Sequence, residues 1–248
     1  MAISAEPTVV LSHLHHTDGS ATFSQDGYTV IGAVNGPIEV SRRDELPEEA
    51  VVEVTVRPAA GVGGTRERHL ESILQATLRQ VIFIHNFPRR LIQITLQVTS
   101  TPDNDSVGSK IVQASVNLPI LPSLLQTSVL TLLSASIPLA MTLTSILLAV
   151  TPDGILRSPT IKEIQGANSV HVLAFSSHGE LLVAESDGIF TMDVWDDVHT
   201  VARRICCVET SANDSMQEDG LEEKAGGIMT FVKSVLQEKV NQDLNWKK

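Results

Sequence analysis

An α/β domain, with helices packed on sheets around one core, is what this sequence predicts. Three observations carry that expectation. Residues 51–57 (VVEVTVR) and 91–98 (LIQITLQV) alternate as strands do, while Leu70, Ile73, Leu74, Leu78, Val81 and Ile82 between them recur at helical spacing. Residues 111–150 contain no Asp, Glu, Lys or Arg, which fits a helix and a strand buried inside an α/β core. The chain has 248 residues and is 42% hydrophobic, enough for a sizeable core and too apolar for disorder.

The elements follow in order. Residues 18–40, DGSATFSQDGYTVIGAVNGPIEV, hold two β runs joined at Gln25-Asp26-Gly27 and closed by Gly36-Pro37. A strand over 51–57 leads into a flexible Gly/Pro loop, 58–65, with Thr65 as N-cap of a helix over 66–85. Asn86-Phe87-Pro88 stops that helix, and the strand 91–98 follows. A polar loop begins at 99. Residues 123–135 read as a second helix and 144–150 as a buried strand. Thr151-Pro152-Asp153-Gly154 is a turn of the kind found between paired strands. Strands are expected at 170–175 and 180–185, with turns at His178-Gly179 and Asp187-Gly188. Met192, Trp195, Val198, Ala202 and Ile205 give helical periodicity over 191–208, and 225–242 forms a closing helix.

The net charge is −11, which argues against tight, autonomous nucleic-acid binding. Residues 209–223 carry six acids and no base, and without them the balance is −5. A few local arginines inside a larger assembly are compatible with that balance. Two adjacent cysteines, Cys206 and Cys207, offer neither a disulfide framework nor metal spacing, as expected in a reducing compartment. The first residues lack the pattern of a secretory signal. Pro119, Pro122 and Pro138 interrupt the uncharged run, so no membrane span is expected there. His13, His15 and His16 read as surface residues, since a strand would divide them between two faces. Asp193, Asp196 and Asp197 suit a helix start, where carboxylates favour the dipole.

The 18–40 hairpin resembles the opening of the RNase PH-like family, through Asp18, Gly19, Ser20, Ala21, Gly27, Thr29, Gly36, Pro37 and Glu39. Further segments match in the right order: Glu71, Pro88, Arg89, Ile92, Ile94, Gln97 and Val98, and then SASIPL…TSILLAVTPDG. The resemblance implies one RNase PH-like domain over 12–208, ribosomal protein S5 domain 2-like, with strand-helix-strand repeats on a mixed sheet. Residues 1–11 would be a lead-in, 209–224 an acidic disordered insertion, and 225–248 a terminal helix packed on the domain.

Active relatives need two acids six residues apart, to hold a cation or donate a proton, and a Gly-Gly-(Ser/Thr)-Arg phosphate site at a helix start. Here the acidic positions fall at about Ile164 and Val170, with Glu163 beside the first. The phosphate site falls on Ile120-Leu121-Pro122-Ser123, with Leu121 at the arginine position. The pattern resembles that of a non-catalytic ring subunit of the eukaryotic RNA exosome, which implies no catalytic residues, metal or cofactor. The alternative is a weakly active RNase PH-type or metal-dependent 3′ exoribonuclease using other acids.

The implied partners are other RNase PH-like ring subunits, in dimers that close a six-member ring. S1/KH cap subunits, a processive exonuclease and single-stranded RNA are implied too, for RNA degradation and rRNA processing in nucleus, nucleolus and cytoplasm. The apolar 111–150 run adds to an expectation of obligate assembly. Arg68, with Arg66 beside it, falls where the family places an RNA-facing arginine. The alternative is a solvated helix start paired with Glu67 or Glu71. Arg89 matches a family arginine and is either an RNA contact or a hydrogen-bonder to loop carbonyls.

Overall fold

The computed structural model of the protein describes residues 7–102, 118–152, 154–207 and 228–247. The expected acidic insertion at 209–224 lies outside them, as do 1–6 of the lead-in and 111–117 of the uncharged run. Strands β1 (Thr8–Leu11), β2 (Gly19–Gln25), β3 (Tyr28–Glu39), β4 (Val51–Arg57) and β5 (Arg90–Ser100) form one sheet, ordered β1-β2-β3-β5-β4. Helix α1 (Thr65–Val81) joins β4 to β5, which run parallel. The other neighbours are antiparallel, so the sheet is mixed as expected.

The remaining strands make a second sheet, antiparallel throughout. Strands β6 (Leu143–Thr151), β7 (Gly154–Arg157), β8 (Ser169–Ser176) and β9 (Leu181–Gly188) are ordered β7-β6-β8-β9. Helix α2 (Leu121–Ser134) lies between the sheets, touching β2 and β3 on one side and β6 on the other. Burial on every face is why its sequence is uncharged and only weakly amphipathic. Its hydroxyls bond back along the helix: Thr127 to the Ser123 carbonyl at 2.6 Å, Ser128 to Leu124 at 2.7 Å, and Thr131 to Thr127. The 118–150 run is thus covered from within, and it supplies no reason of its own for assembly.

A short helix, α3 (Ile161–Gly166), links β7 to β8. Helix α4 (Met192–Cys207) covers the far face of the second sheet, setting Val198, Ala202 and Cys206 against Ile146, Leu148, Leu173 and Phe175. With α2 on one face and α4 on the other, β8 is buried at all of its residues. Helix α5 (Ile228–Asp243) packs Val232 against Ala21, Phe23 and Leu130. Lys239 of α5 donates to Ser12 Oγ at 3.2 Å and to the Ser134 carbonyl at 3.4 Å, tying α5 to the end of α2.

Several boundaries differ from the sequence reading. Gly64 caps α1, not Thr65, because Glu67 reaches back to accept the Gly64 N–H at 2.6 Å. The helix ends at Val81 rather than 85, since Ile82 turns extended and bridges to Leu139. Helix α2 starts at Leu121, with Pro122 in a first turn that needs no N–H there. Strand β3 does not close at Gly36-Pro37: its ladder with β5 is interrupted there and resumes at Ile38. Asp187-Gly188 belongs to β9, not to a turn. No strand carries His13, His15 and His16; β1 ends at Leu11, and the His13 ring bonds Thr22 Oγ1 at 3.2 Å. Met192 faces outward and is exposed.

Two matched residues find physical roles. Asp18 accepts the Gly36 N–H at 2.8 Å, holding the irregular stretch of β3. Glu71 accepts the Val56 N–H at 2.8 Å, and Gln75 donates to the Val52 carbonyl at 2.7 Å. Side chains of α1 thereby satisfy the outer edge of β4, the last strand of its sheet.

Candidate functional site

The first turn of α2 and the chain from β7 into α3 enclose a cleft of about 510 Å³. Pro122, Ser123, Ser145, Ile146 and Thr160–Ile164 line it, together with Asp26 from the β2–β3 turn. A second cleft of about 310 Å³ shares Pro119 and Ile164 with it and adds Val170, Asp187 and Gly188. The fold therefore brings together the segments on which the two catalytic constellations would fall.

The side chains at the positions matched to the arginine and the two acids are apolar. Leu121 is fully buried and Val170 is buried, both in the main core. Ile164 is half-buried against that core. Pro122 has no N–H to offer an anion, and its carbonyl accepts the Ser145 hydroxyl at 3.2 Å. Glu163 is engaged locally: its carboxylate accepts the Thr160 N–H at 2.7 Å, and this bond holds it below the usual carboxylate range.

Two further acids border the clefts, and the sequence reading missed both. Burial pushes Asp26 above its ordinary range, opposed by hydrogen bonds from Ser158 and Gln25. Asp187 stands opposite Val170 in the β8–β9 ladder. Among the described residues, no three His, Cys, Asp or Glu side chains are grouped to hold a metal ion.

One residue beyond Val170, His171 is buried between two hydroxyls, with Ser169 Oγ 2.9 Å from Nε2 and Ser186 Oγ 2.8 Å from Nδ1. Desolvation lowers its pKa, because burial disfavours the charged ring. The unfolded chain therefore binds this proton more readily than the fold does. The associated stability is present above the unfolded value of about 6.5 and is lost as pH falls from there toward the lower folded value. Denaturation midpoints between pH 7.5 and 5 should fall in the wild type and fall less in His171→Gln. An equal fall in both would show that other groups set the slope.

The three candidate RNA-contact arginines do not form one patch. Arg66 and Arg68 lie in the first turn of α1, beyond the end of β4. Arg89 lies beside the start of β5, past the other end of α1. Seventeen helical residues separate these ends, roughly 25 Å. Arg68 is exposed. Glu67 and Glu71, its possible partners, accept backbone N–H groups instead. Arg89 is held by an ion pair with Glu45 at 3.2 Å, while its N–H donates to the Leu46 carbonyl at 3.1 Å. Among the described residues, no helix is long and apolar enough to cross a membrane.

Comparison with known proteins finds relatives in both sequence and fold. The chain is 35% identical over 200 residues to the exosome complex component RRP46 of Saccharomyces cerevisiae, covering 78% of this chain and 85% of the relative. It is 39% identical over 98 residues to exosome complex component rrp46 of Schizosaccharomyces pombe, covering 40% and 43% of the two chains. The fold matches that of rice (Oryza sativa) Rrp46 with a TM-score of 0.74 at 23% identity, over 94% of this chain and 95% of that one. It also matches a chain of the Archaeoglobus fulgidus exosome with RNA bound to the active site, with a TM-score of 0.61 at 12% identity, over 80% and 84%. Residues 6–147 match the 3′ exoribonuclease family, domain 1 (RNase PH), more than half of the chain, and by this match and the first relative the protein belongs to the RNase PH family.

Proposed function

We propose that this chain is a non-catalytic subunit of the RNA exosome core ring. It would hold the ring's shape and help thread single-stranded RNA toward a nuclease supplied by another subunit. The observation that carries this reading is the burial of Leu121 and Val170 where active relatives place an arginine and an acid. Leu121, fully buried, reaches neither phosphate nor RNA, and Val170, at the wall of the second cleft, has no group that could hold a cation or donate a proton. Asp26, Glu163 and Asp187 border the clefts, and an exonuclease using such acids is the alternative that the activity assay below separates from this reading.

The reading takes other RNase PH-like ring subunits, S1/KH cap subunits and a processive exonuclease as partners, in nucleus, nucleolus and cytoplasm. An apolar exposed patch favours such partners: Ile189, Phe190 and Met192 stand out where β9 leads into α4. Co-expression with an RNase PH-like ring subunit should convert a self-associating chain into a soluble complex of defined mass. That complex should release no nucleoside diphosphates from RNA in phosphate and Mg²⁺ that depend on this chain. A well-behaved monomer indifferent to such partners, or phosphorolysis abolished by Asp187→Asn, would overturn the reading.

In the assembled ring, Arg68, exposed in the first turn of α1, would be the arginine that touches the RNA path. Arg68→Glu should leave assembly intact, because an exposed helix-start residue carries little packing. RNA retention should weaken by about 1–2 kcal/mol through loss of one charge-assisted phosphate contact and added repulsion. The loss should shrink as salt rises. Unchanged affinity at about 50–100 mM salt would mark Arg68 as a solvated helix-start residue. Arg89, paired with Glu45, should have a smaller effect when changed to alanine.

A further inference from the structure

The outer face of α4 carries chemistry that neither the clefts nor the Arg68 region uses. Trp195, His199 and Arg203 follow one another at i, i+4 and i+8, so they form a strip along one side of the helix. The Trp195 and His199 rings are stacked, with centroids 5.4 Å apart and planes at 18°. His199 in turn leans on the buried Phe175 ring at 5.5 Å. The pair is thereby fixed from below, and both residues stay partly exposed. A shallow groove of about 320 Å³ runs on from His199 to Arg203 and Arg204. Both arginines are exposed. The acids of α4, Asp193, Asp196 and Asp197, sit in its first turns, and no acid of the helix follows them toward Arg203 and Arg204.

We propose that this strip is a second single-stranded RNA contact on the outside of the subunit. A base would stack on the Trp195–His199 pair while Arg203 and Arg204 take the adjoining phosphates. Rigid rings beside guanidinium groups suit single strands, whose bases are free to stack and whose backbone supplies closely spaced charge. A double helix would offer phosphates but no unstacked base. An acidic protein surface would engage the arginines but not the rings. The inference rests on the ring-subunit reading only for the supply of RNA.

The test uses the full chain in its co-expressed complex and a short oligouridylate carrying one 4-thiouridine. Cross-linking should map to Trp195 or His199. In Arg203→Ala/Arg204→Ala the cross-link yield should fall roughly tenfold at low salt, as expected when two charge-assisted contacts are lost. The slope of log K against log[salt] should drop by about 1.4, the value for two single-strand phosphates. Arg68→Glu should leave the α4 cross-link in place. Polyglutamate at equal charge should compete poorly.

Four results would overturn the inference: no cross-link in α4, an unchanged yield in the double alanine variant, dependence on Arg68, or competition by polyglutamate equal to that by RNA. The last would assign the strip to an acidic protein. Complex mass, measured on the same samples, reports the ring-subunit reading separately. A complex that assembles without an α4 cross-link defeats this inference alone.

Discussion

Leu121→Arg, which puts back the residue type that active relatives need at this position, should unfold the chain rather than equip it to bind phosphate. Leu121 is fully buried in the main core, at the start of a helix with sheets on both sides. A guanidinium there would lose its hydration without gaining a partner. An unpaired buried charge of this kind costs about 3–5 kcal/mol, a large share of the roughly 5–15 kcal/mol that holds a domain folded. The denaturation midpoint should drop by about 10 °C or more for a chain of this size. Leu121→Met, which nearly conserves volume, should cost less than about 1.5 kcal/mol and so serves as the control. Millimolar phosphate should stabilise neither variant. If Leu121→Arg melts like the wild type and phosphate raises its midpoint, the position opens onto the cleft and the reading of lost chemistry fails.

What the sequence reveals depends on how far each signal extends. The strand-helix-strand unit was legible because β4, α1 and β5 each repeat their period several times. Strands β1 and β7 and helix α3 have four, four and six residues, too few for a period to emerge. The division into two sheets was not legible, because pairing is decided by which faces α2 and α4 cover and not by any local pattern. The positions matched to the two constellations could be located through the order of the matching segments, and the fold does gather those segments around adjoining clefts. Asp187 was not, since an Asp-Gly pair reads as a turn unless the partner strand is known. Nor was the pairing of Arg89 with Glu45, an ion pair across the 40–50 loop that no periodicity reports.

Gly19→Val should disable the fold from the opposite side of α2, and here the cause is space rather than charge. A Cβ at Gly19 would lie 2.4 Å from the backbone N of Ala135 and 2.7 Å from its Cα. Those are backbone atoms, and they cannot swing aside as a side-chain tip can. The Ala135 N–H is also bound to the Thr131 carbonyl at 3.0 Å, closing the last turn of α2. Strand β2 is equally fixed, with Gly19 opposite Val34 in a ladder that continues without a break to Gln25 and Tyr28. Relief therefore requires β2 to lift off α2, opening the contact that α5 covers through Val232 and Lys239. The cost should exceed about 3 kcal/mol, the upper part of the range for overpacked sites, or about 6–12 °C in midpoint. Gly166→Ala is the matched control: nothing lies within 4 Å of its added methyl, so the midpoint should stay level or rise slightly. Should Gly19→Val melt within about 2 °C of the wild type, β2 does not rest on the end of α2, and the close approach that demands glycine at the head of the DGSA segment is absent.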